Sequence, residues 1–512
     1  MRGTAERLRA VGLLVAFSVG IAVVVAATPD TTTVELDAGA DQALGVDGGD
    51  GQVPDGAATT GAGSAADVST TGDGDLEAVG SQRPDGIIDT GAPDALASDE
   101  PGVGAETALT SPGDGSSAPG VSADSIRLGI GISDLGAIGA LGPGYDQGEP
   151  REHIEAILTE LRATGRLPVH GRDIDPLYSS YSVISADEQR ATCETFGADN
   201  EVFAVMSLTF FGEGNECSAR EFGLPTLTSD GQPAAVYERS WPNLFSLQMS
   251  ADRLMRNFVA WADEDGHLTG ERIGIYYDAT PEVATLVKAN VIAPMEARGH
   301  TIVAAVETSQ SATGGPTDSV AVQQFISNRV TVAILLVSPI AKTNFFNQAE
   351  TSRYRPLYLD NDLSSSTTDT ATSTYPASHF DGALGWTAMR FGEANSDLPE
   401  PPEAQWCRAA IEKHTGNRIP RQGRDAEYIS SNKSCDGIMT VLHGLEAAGR
   451  NLTRSRYIAG LESVRGKRAG IHGDISFSPV RHDGGGSWRR LAWSADCTCW
   501  RVRSPMGPLL VD

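Results

Sequence analysis

RIGIYYDATPEVATLVKANVIAPMEARGHTIVAAVE, residues 272–307, contains one complete strand–helix–strand unit. RIGIYYD (272–278) and TIVAAVE (301–307) are short runs rich in β-branched and aromatic residues. Between them Pro281 opens a helical pattern, because proline is tolerated where first-turn N–H groups lack partners anyway, and Gly299 ends it. Two strands joined through a helix run parallel, and parallel strands are covered on both faces, which is why both runs are almost continuously apolar.

The rhythm extends in both directions. Upstream, IRLGIGIS (126–133) reads as a buried strand, and residues 151–163 as a helix with Ile154, Ile157, Leu158 and Leu161 on one face and Gly165 as its stop. A helix around Ala186–Phe196, the strand EVFAVMSL (201–208), a helix from about Cys217 to Phe222 and the strand PTLTS (225–229) follow. Next comes a helix carrying Leu254, Phe258 and Trp261. Downstream, a helix around Val320–Ser327, the strand VAILLVS (332–338), a helix around Thr343–Thr351 and the strand PLYLD (356–360) complete the run. Such alternation builds α/β structure. From Ile126 to Asp360 the units are too many for one tidy sheet, so the predicted fold is two doubly wound parallel-sheet lobes.

The 512 residues and net charge of −28 are unevenly distributed. Residues 11–27, VGLLVAFSVGIAVVVAA, form an uncharged run after Arg2, Arg7 and Arg9, so 1–27 reads as a signal peptide cleaved before Thr28 or as an uncleaved N-terminal membrane anchor. No cysteine follows it, which excludes the usual lipid-modified cysteine. Either reading makes the protein exported, at the cell surface or in a periplasmic or extracellular space. Residues 28–121 are Gly, Ala, Asp, Thr, Ser and Pro with almost nothing to build a core, and read as a disordered acidic linker. Eighteen acids and one base, Arg83, lie between 30 and 120, so this segment carries 17 of the negative charges.

No Lys and Arg stripe with interleaved aromatics appears, which argues against a nucleic-acid partner; the excess of 34 arginines over 5 lysines reflects base composition. The six cysteines, an even number in an exported chain, suggest disulfides, with sequence neighbours paired as Cys193–Cys217, Cys407–Cys435 and Cys497–Cys499. Fifteen pairings are formally open. A metal site at C-x-C lacks a compact His and Cys ligand set, and no metal or cofactor is expected.

The glycine-rich stretch RLGIGISDLGAIGALGPGYD (127–146) fails each phosphate or nucleophile template. Asp134 replaces the third glycine of G-x-G-x-x-G, Ala137 and Ile138 stand where a Walker loop needs Lys and Ser or Thr, and Leu135 breaks G-x-S-x-G after Ser133. In open parallel sheets the ligand lies beyond the carboxyl ends of the strands. The positions to inspect there are Ser133 and Asp134; Ser207 and Thr209; Thr228, Ser229 and Asp230; Asp278; Ser338; and Asp360 and Asp362. Hydroxyls and carboxylates dominate. Histidine and cysteine do not occur among them.

At these landmarks the chain resembles the type 1 periplasmic binding proteins, specifically the branched-chain amino acid (Leu/Ile/Val) branch that serves ABC transporters. IRLGIGISDLGAIGALGP resembles that family's opening strand and ligand loop, EVFAVMSL with REFGLPTLTSDG its second landmark, and DAEYISSNKSCDGIMTVLHGLEAAG its late helix. The units 272–300 and 332–360 are similar to its two central ones. The resemblance implies two lobes joined by three crossings, with lobe 1 at 122–248 plus 375–465 and lobe 2 at 249–374 plus 466–512. It also implies that backbone amides with Ser207, Thr209, Thr228 and Ser229 grip a carboxylate, that Asp360 or Asp362 meets an ammonium, and that Tyr277 and Asp278 form a wall. Ser133 and Asp134 then become cleft contacts. The serine and threonine clusters usual after the second strand are replaced by SLTFFGEGNE, whose Phe210 and Phe211 read as core or loop packing, with stacking on an apolar ligand as the alternative.

The expectation is a monomeric binding protein that closes on a small polar solute, an amino acid or related amide or carboxylate, and delivers it to ABC permease subunits. A membrane-anchored sensing module of the same fold is the alternative. An exported α/β hydrolase is disfavoured, because none of the nine histidines follows a predicted strand beside a nucleophile.

Overall fold

The computed structural model describes residues 118–135, 146–209, 211–311, 313–363, 366–422 and 425–511. The expected signal segment, nearly all of the expected linker, residues 136–145 and Phe210 lie outside them. Among the described residues no helix is long and apolar enough to cross a membrane.

Two sheets organise the chain. The first holds β1 (Ser125–Asp134), β2 (Asp173–Ser182), β3 (Ala204–Ser207), β4 (Thr226–Thr228) and β5 (Leu244–Ser246), all parallel, in the order β2-β1-β3-β4-β5. β1 lies between β2 and β3, and its Ile126, Leu128 and Ile130 are buried against the helix Pro150–Ala163 through its Ile154, Ile157, Leu158 and Leu161. On the opposite face Gly129 lies under Phe196, and a Cβ there would come within 2.9 Å of the ring, so glycine permits the close approach. β2 was not anticipated. It is an edge strand of largely polar sequence, DIDPLYSSYS, whose Pro176 is acceptable only because an edge leaves one row of N–H groups unpaired.

The second sheet holds β6 (Arg272–Asp278), β7 (Thr301–Thr308), β8 (Val332–Leu336), β9 (Leu357–Asn361) and β10 (Leu384–Thr387) in parallel, in the order β7-β6-β8-β9-β10. β13 (Ser487–Ser494) adds antiparallel to β10, and β14 (Cys499–Val502) antiparallel to β13. Side chains alternate between faces. Ile273, Ile275 and Tyr277 enter the cluster formed with the helix Ala251–Glu264 and with Val287, Val291 and Met295, whereas Tyr276 packs with Phe325 and Phe345 on the other face. β10 corrects the expected boundary at residue 375. It pairs with β9 and β13, so 384–387 belong to the second sheet. The helices Pro402–Thr415, Asp425–Ala448 and Arg454–Glu462 pack on the first-sheet side, against Pro150–Ala163 and one another.

All six cysteines are bonded, as Cys193–Cys217, Cys407–Cys435 and Cys497–Cys499. The first ties the two helices on one face of the first sheet, the second staples the helix 402–415 to the helix 425–448, and the third closes the β13–β14 turn.

Candidate functional site

The loop after β4, Ser229-Asp230-Gly231-Gln232, presses against the crossing at Gln248–Met249, where the chain leaves the first sheet for the helix Ala251–Glu264. Gly231 makes this possible: a Cβ would lie 2.0 Å from the Met249 carbonyl oxygen. Between this loop and the segment after β9 is a cavity of about 300 Å³. Asp230, Gln232 and Gln189 line it from the first-sheet side, Asp362 and Leu363 from the second, and Gln248 from the crossing. Val183, Met249 and Leu254 supply apolar wall.

The two carboxylates are held by different means. Asp230 Oδ1 accepts from Lys433 Nζ at 3.2 Å and from the Ser229 hydroxyl at 3.4 Å, and its backbone N–H donates to Thr228 Oγ1. Lys433, on the helix Asp425–Ala448, is buried and also donates to Thr209 Oγ1 at 3.1 Å. Asp362 Oδ2 accepts from the Ala388 backbone N–H at 2.7 Å, and its Oδ1 accepts from the Thr367 hydroxyl. Burial pushes the Asp362 carboxyl up to about 6, opposed by the bonds from Thr367, Thr387 and Ala388 and reinforced by the nearby charge of Asp360. A carboxylate this poorly solvated gains most when a cation reaches it.

Behind the β4 loop lies a buried polar knot. Asp436 accepts from the backbone N–H groups of Gly470, Ile471 and His472, at 2.6, 3.0 and 3.3 Å, and lies 2.9 Å from His472 Nδ1. Burial alone would raise the Asp436 carboxyl, yet His472 and the backbone donors hold it below its ordinary value. His472 Nε2 is 3.2 Å from the Ser229 carbonyl oxygen, so this knot fixes the position of the cleft loop.

Of the twelve residues singled out from sequence, Asp230 and Asp362 line this cavity. Thr209, Thr228 and Ser229 bracket Asp230 and Lys433 through the bonds just described. Ser207 is buried and donates to Asn215 Oδ1 at 2.8 Å, which turns its hydroxyl away from a ligand carboxylate. Ser133 is buried with no partner for its hydroxyl among the described residues, and Asp134 is exposed. Tyr277 does not form a cleft wall: its ring sits in the core of the second sheet and its hydroxyl donates to Glu307 at 2.6 Å. Asp278 accepts from the Thr280 backbone N–H at 2.8 Å, and Ser338 caps the helix Pro339–Glu350. Asp360 is the clearest departure from expectation, since it forms a buried ion pair with Lys342 at 2.8 Å.

Sequence reasoning missed Lys433, Gln189, Gln232 and Gln248. The available signal for Lys433 was a lone cation in the late helix within SSNKSCDG, where neighbours on both sides are small and become buried. Nothing in the sequence marked the glutamines.

No protein-family profile matches the sequence, and no curated protein matches it. Solved structures do match its fold. A solute-binding protein of an ABC transporter from Rhodopseudomonas palustris BisB5, in complex with 3,4-dihydroxybenzoic acid, aligns with a TM-score of 0.56 at 14% identity over 76% of this chain and 98% of that one. A leucine-binding protein from Thermotoga maritima MSB8 gives 0.58 at 12% identity over 74% and 98%, and a periplasmic binding protein type 1 from Bordetella pertussis Tohama I gives 0.59 at 16% over 75% and 100%. With two helix-covered parallel sheets and a cavity between their loops, the chain has the fold of the type 1 periplasmic binding proteins.

Proposed function

We propose that this protein is an exported solute-binding protein that closes its two lobes on a small polar ligand bearing an ammonium group, an amino acid or related amide, and hands it to the membrane subunits of an ABC importer. The observation that carries the reading is the cavity of about 300 Å³ with Asp230 on one side and Asp362 on the other. Its volume lies at the lower end of the usual range for small-molecule sites, roughly 300–1,000 Å³, which favours a compact solute. Three glutamine amides add donors and acceptors at fixed positions, and such groups suit the amide or carboxylate end of the ligand. The solved structures of the same fold are described with leucine or with aromatic acids, so ligand class varies on this scaffold. Here the acids favour a cation-bearing solute.

Contacts from both lobes would stabilise the closed arrangement in proportion to the difference in ligand affinity between closed and open states. Small-angle X-ray scattering of the protein, alone and with each solute that binds by calorimetry, tests this directly. The expected result is a smaller radius of gyration with ligand. Tight binding with no change in the scattering curve would remove the closure step from the reading.

A further inference from the structure

We propose that a second cavity, separate in its lining from the cleft cavity, binds a small apolar carboxylate. It measures about 440 Å³ and lies among Arg166, the start of the helix Pro402–Thr415, Asp436 and Met439 of the helix Asp425–Ala448, and Lys467 on β11 (Lys467–Arg468). It shares no lining residue with the cleft cavity. Its wall is Pro402, the indole of Trp406 and the thioether of Met439, a surface suited to a ring or a branched alkyl body.

The charges supply the other half of the recognition. Three bases line the cavity, Arg166, Lys467 and Arg468, against two acids, Glu403 and Asp436. Arg166 is already balanced by Glu446 at 3.0 Å, and Asp436 is occupied by three backbone N–H groups and His472. Lys467 is left with one hydrogen bond, to Thr440 Oγ1 at 3.3 Å, and no ion pair among the described residues. A partly buried ammonium with a single neutral acceptor has two donors to offer, and an anion answers it best. Burial lowers the Lys467 ammonium to about 8, so it remains mostly charged at neutral pH. An apolar wall and a cation without a close ion pair, attracted only by the more distant Asp436 and Glu446 carboxylates, together define a carboxylate on a compact apolar body.

Benzoate is a suitable probe, with benzyl alcohol as its uncharged counterpart, titrated calorimetrically into the full chain. Four proteins are compared: the native chain, Lys467→Met, Lys467→Arg and Leu363→Trp, the last filling the cleft cavity instead. Benzoate should bind the native chain and Leu363→Trp alike, bind Lys467→Met at least about tenfold more weakly, and recover in Lys467→Arg. Benzyl alcohol should bind weakly throughout. Absence of benzoate binding, binding unchanged by Lys467→Met, or binding abolished by Leu363→Trp would each overturn the proposal, and the last would assign benzoate to the cleft and count against an ammonium-bearing solute there as well.

Discussion

Replacing Asp360 with alanine should damage stability rather than ligand recognition. Asp360 and Lys342 face each other at 2.8 Å, with their side chains 7% and 1% exposed, so neither charge has water to fall back on. Burial pulls the Lys342 ammonium down and pushes the Asp360 carboxyl up, while their mutual attraction opposes both effects and the Asn361 backbone N–H opposes the second. Truncating Asp360 leaves the ammonium, among the described residues, with the Ser366 hydroxyl at 2.5 Å as its one acceptor. Removing one partner of a buried pair costs about 3–5 kcal/mol, because an uncompensated charge remains inside. With a urea slope of about 3 kcal/mol/M, the unfolding midpoint should fall by about 1–1.7 M. The double variant Lys342→Met, Asp360→Leu removes both charges and should regain most of that loss, since apolar replacements of buried pairs are often neutral or better. Urea unfolding of the two single variants and the double variant gives the coupling energy. An Asp360→Ala protein that unfolds at the native midpoint but no longer binds solute would refute the assignment and return Asp360 to the ligand site.

Other consequences follow from the same structure. Gly231→Ala would drive a methyl into the Met249 carbonyl, and overpacking of this kind should cost about 1–3 kcal/mol and weaken solute binding; calorimetry with unchanged affinity would mean that the loop and crossing are not pressed together. The Asp362 carboxyl sits at about 6 in the folded chain against about 3.9 unfolded, so between those values the folded state holds the extra proton. Its charge therefore works against folding at pH 7, and the penalty is relieved as pH falls from about 6 to about 4. The melting temperature of the native protein relative to Asp362→Asn should rise over that window, and a difference independent of pH would contradict the shift. Opening Cys407–Cys435 with two serines frees a loop with a sequence separation of 28, which on chain-entropy grounds costs about 3–4 kcal/mol in urea unfolding; a loss below about 1 kcal/mol would mean the helices hold each other without it.

What was legible in sequence follows the chemistry of burial. β1, β6 and β8 are covered on both faces, so their residues are apolar almost without interruption and their positions were plain. β2 was hidden because an edge strand tolerates Pro176 and polar residues, and β5 because three residues, LFS, carry no period. β13 was hidden by its arginines: Arg489 is buried and bonded to Glu393 at 2.5 Å, a pairing formed across 96 positions of chain. The disulfides between helices were legible because their partners are only 24 and 28 residues apart. In the candidate site, the strand ends led to the loops that border the cavity but not to the pairings of their side chains. Asp360 and Asp362 look equivalent in the sequence DND, and what separates them is Lys342, eighteen residues earlier, which fills the space around one of them alone. Likewise Lys433 reaches the β4 loop from 203 residues away, and no local pattern records such a distance.

If the cleft cavity takes a small ammonium-bearing solute, Asp230 and Asp362 are the groups that hold it. Thermal-shift measurements on the native chain, Asp230→Asn and Asp362→Asn, across amino acids, their amides, simple amines and small carboxylates, test this most directly. A ligand that binds only the folded state adds about 2.7 kcal/mol at one hundred times its dissociation constant, enough to read as a clear rise in melting temperature. At least one ammonium-bearing solute should raise the melting temperature of the native chain, and either substitution should remove most of that rise. A rise produced only by carboxylates lacking an ammonium group, and retained in both variants, would contradict it.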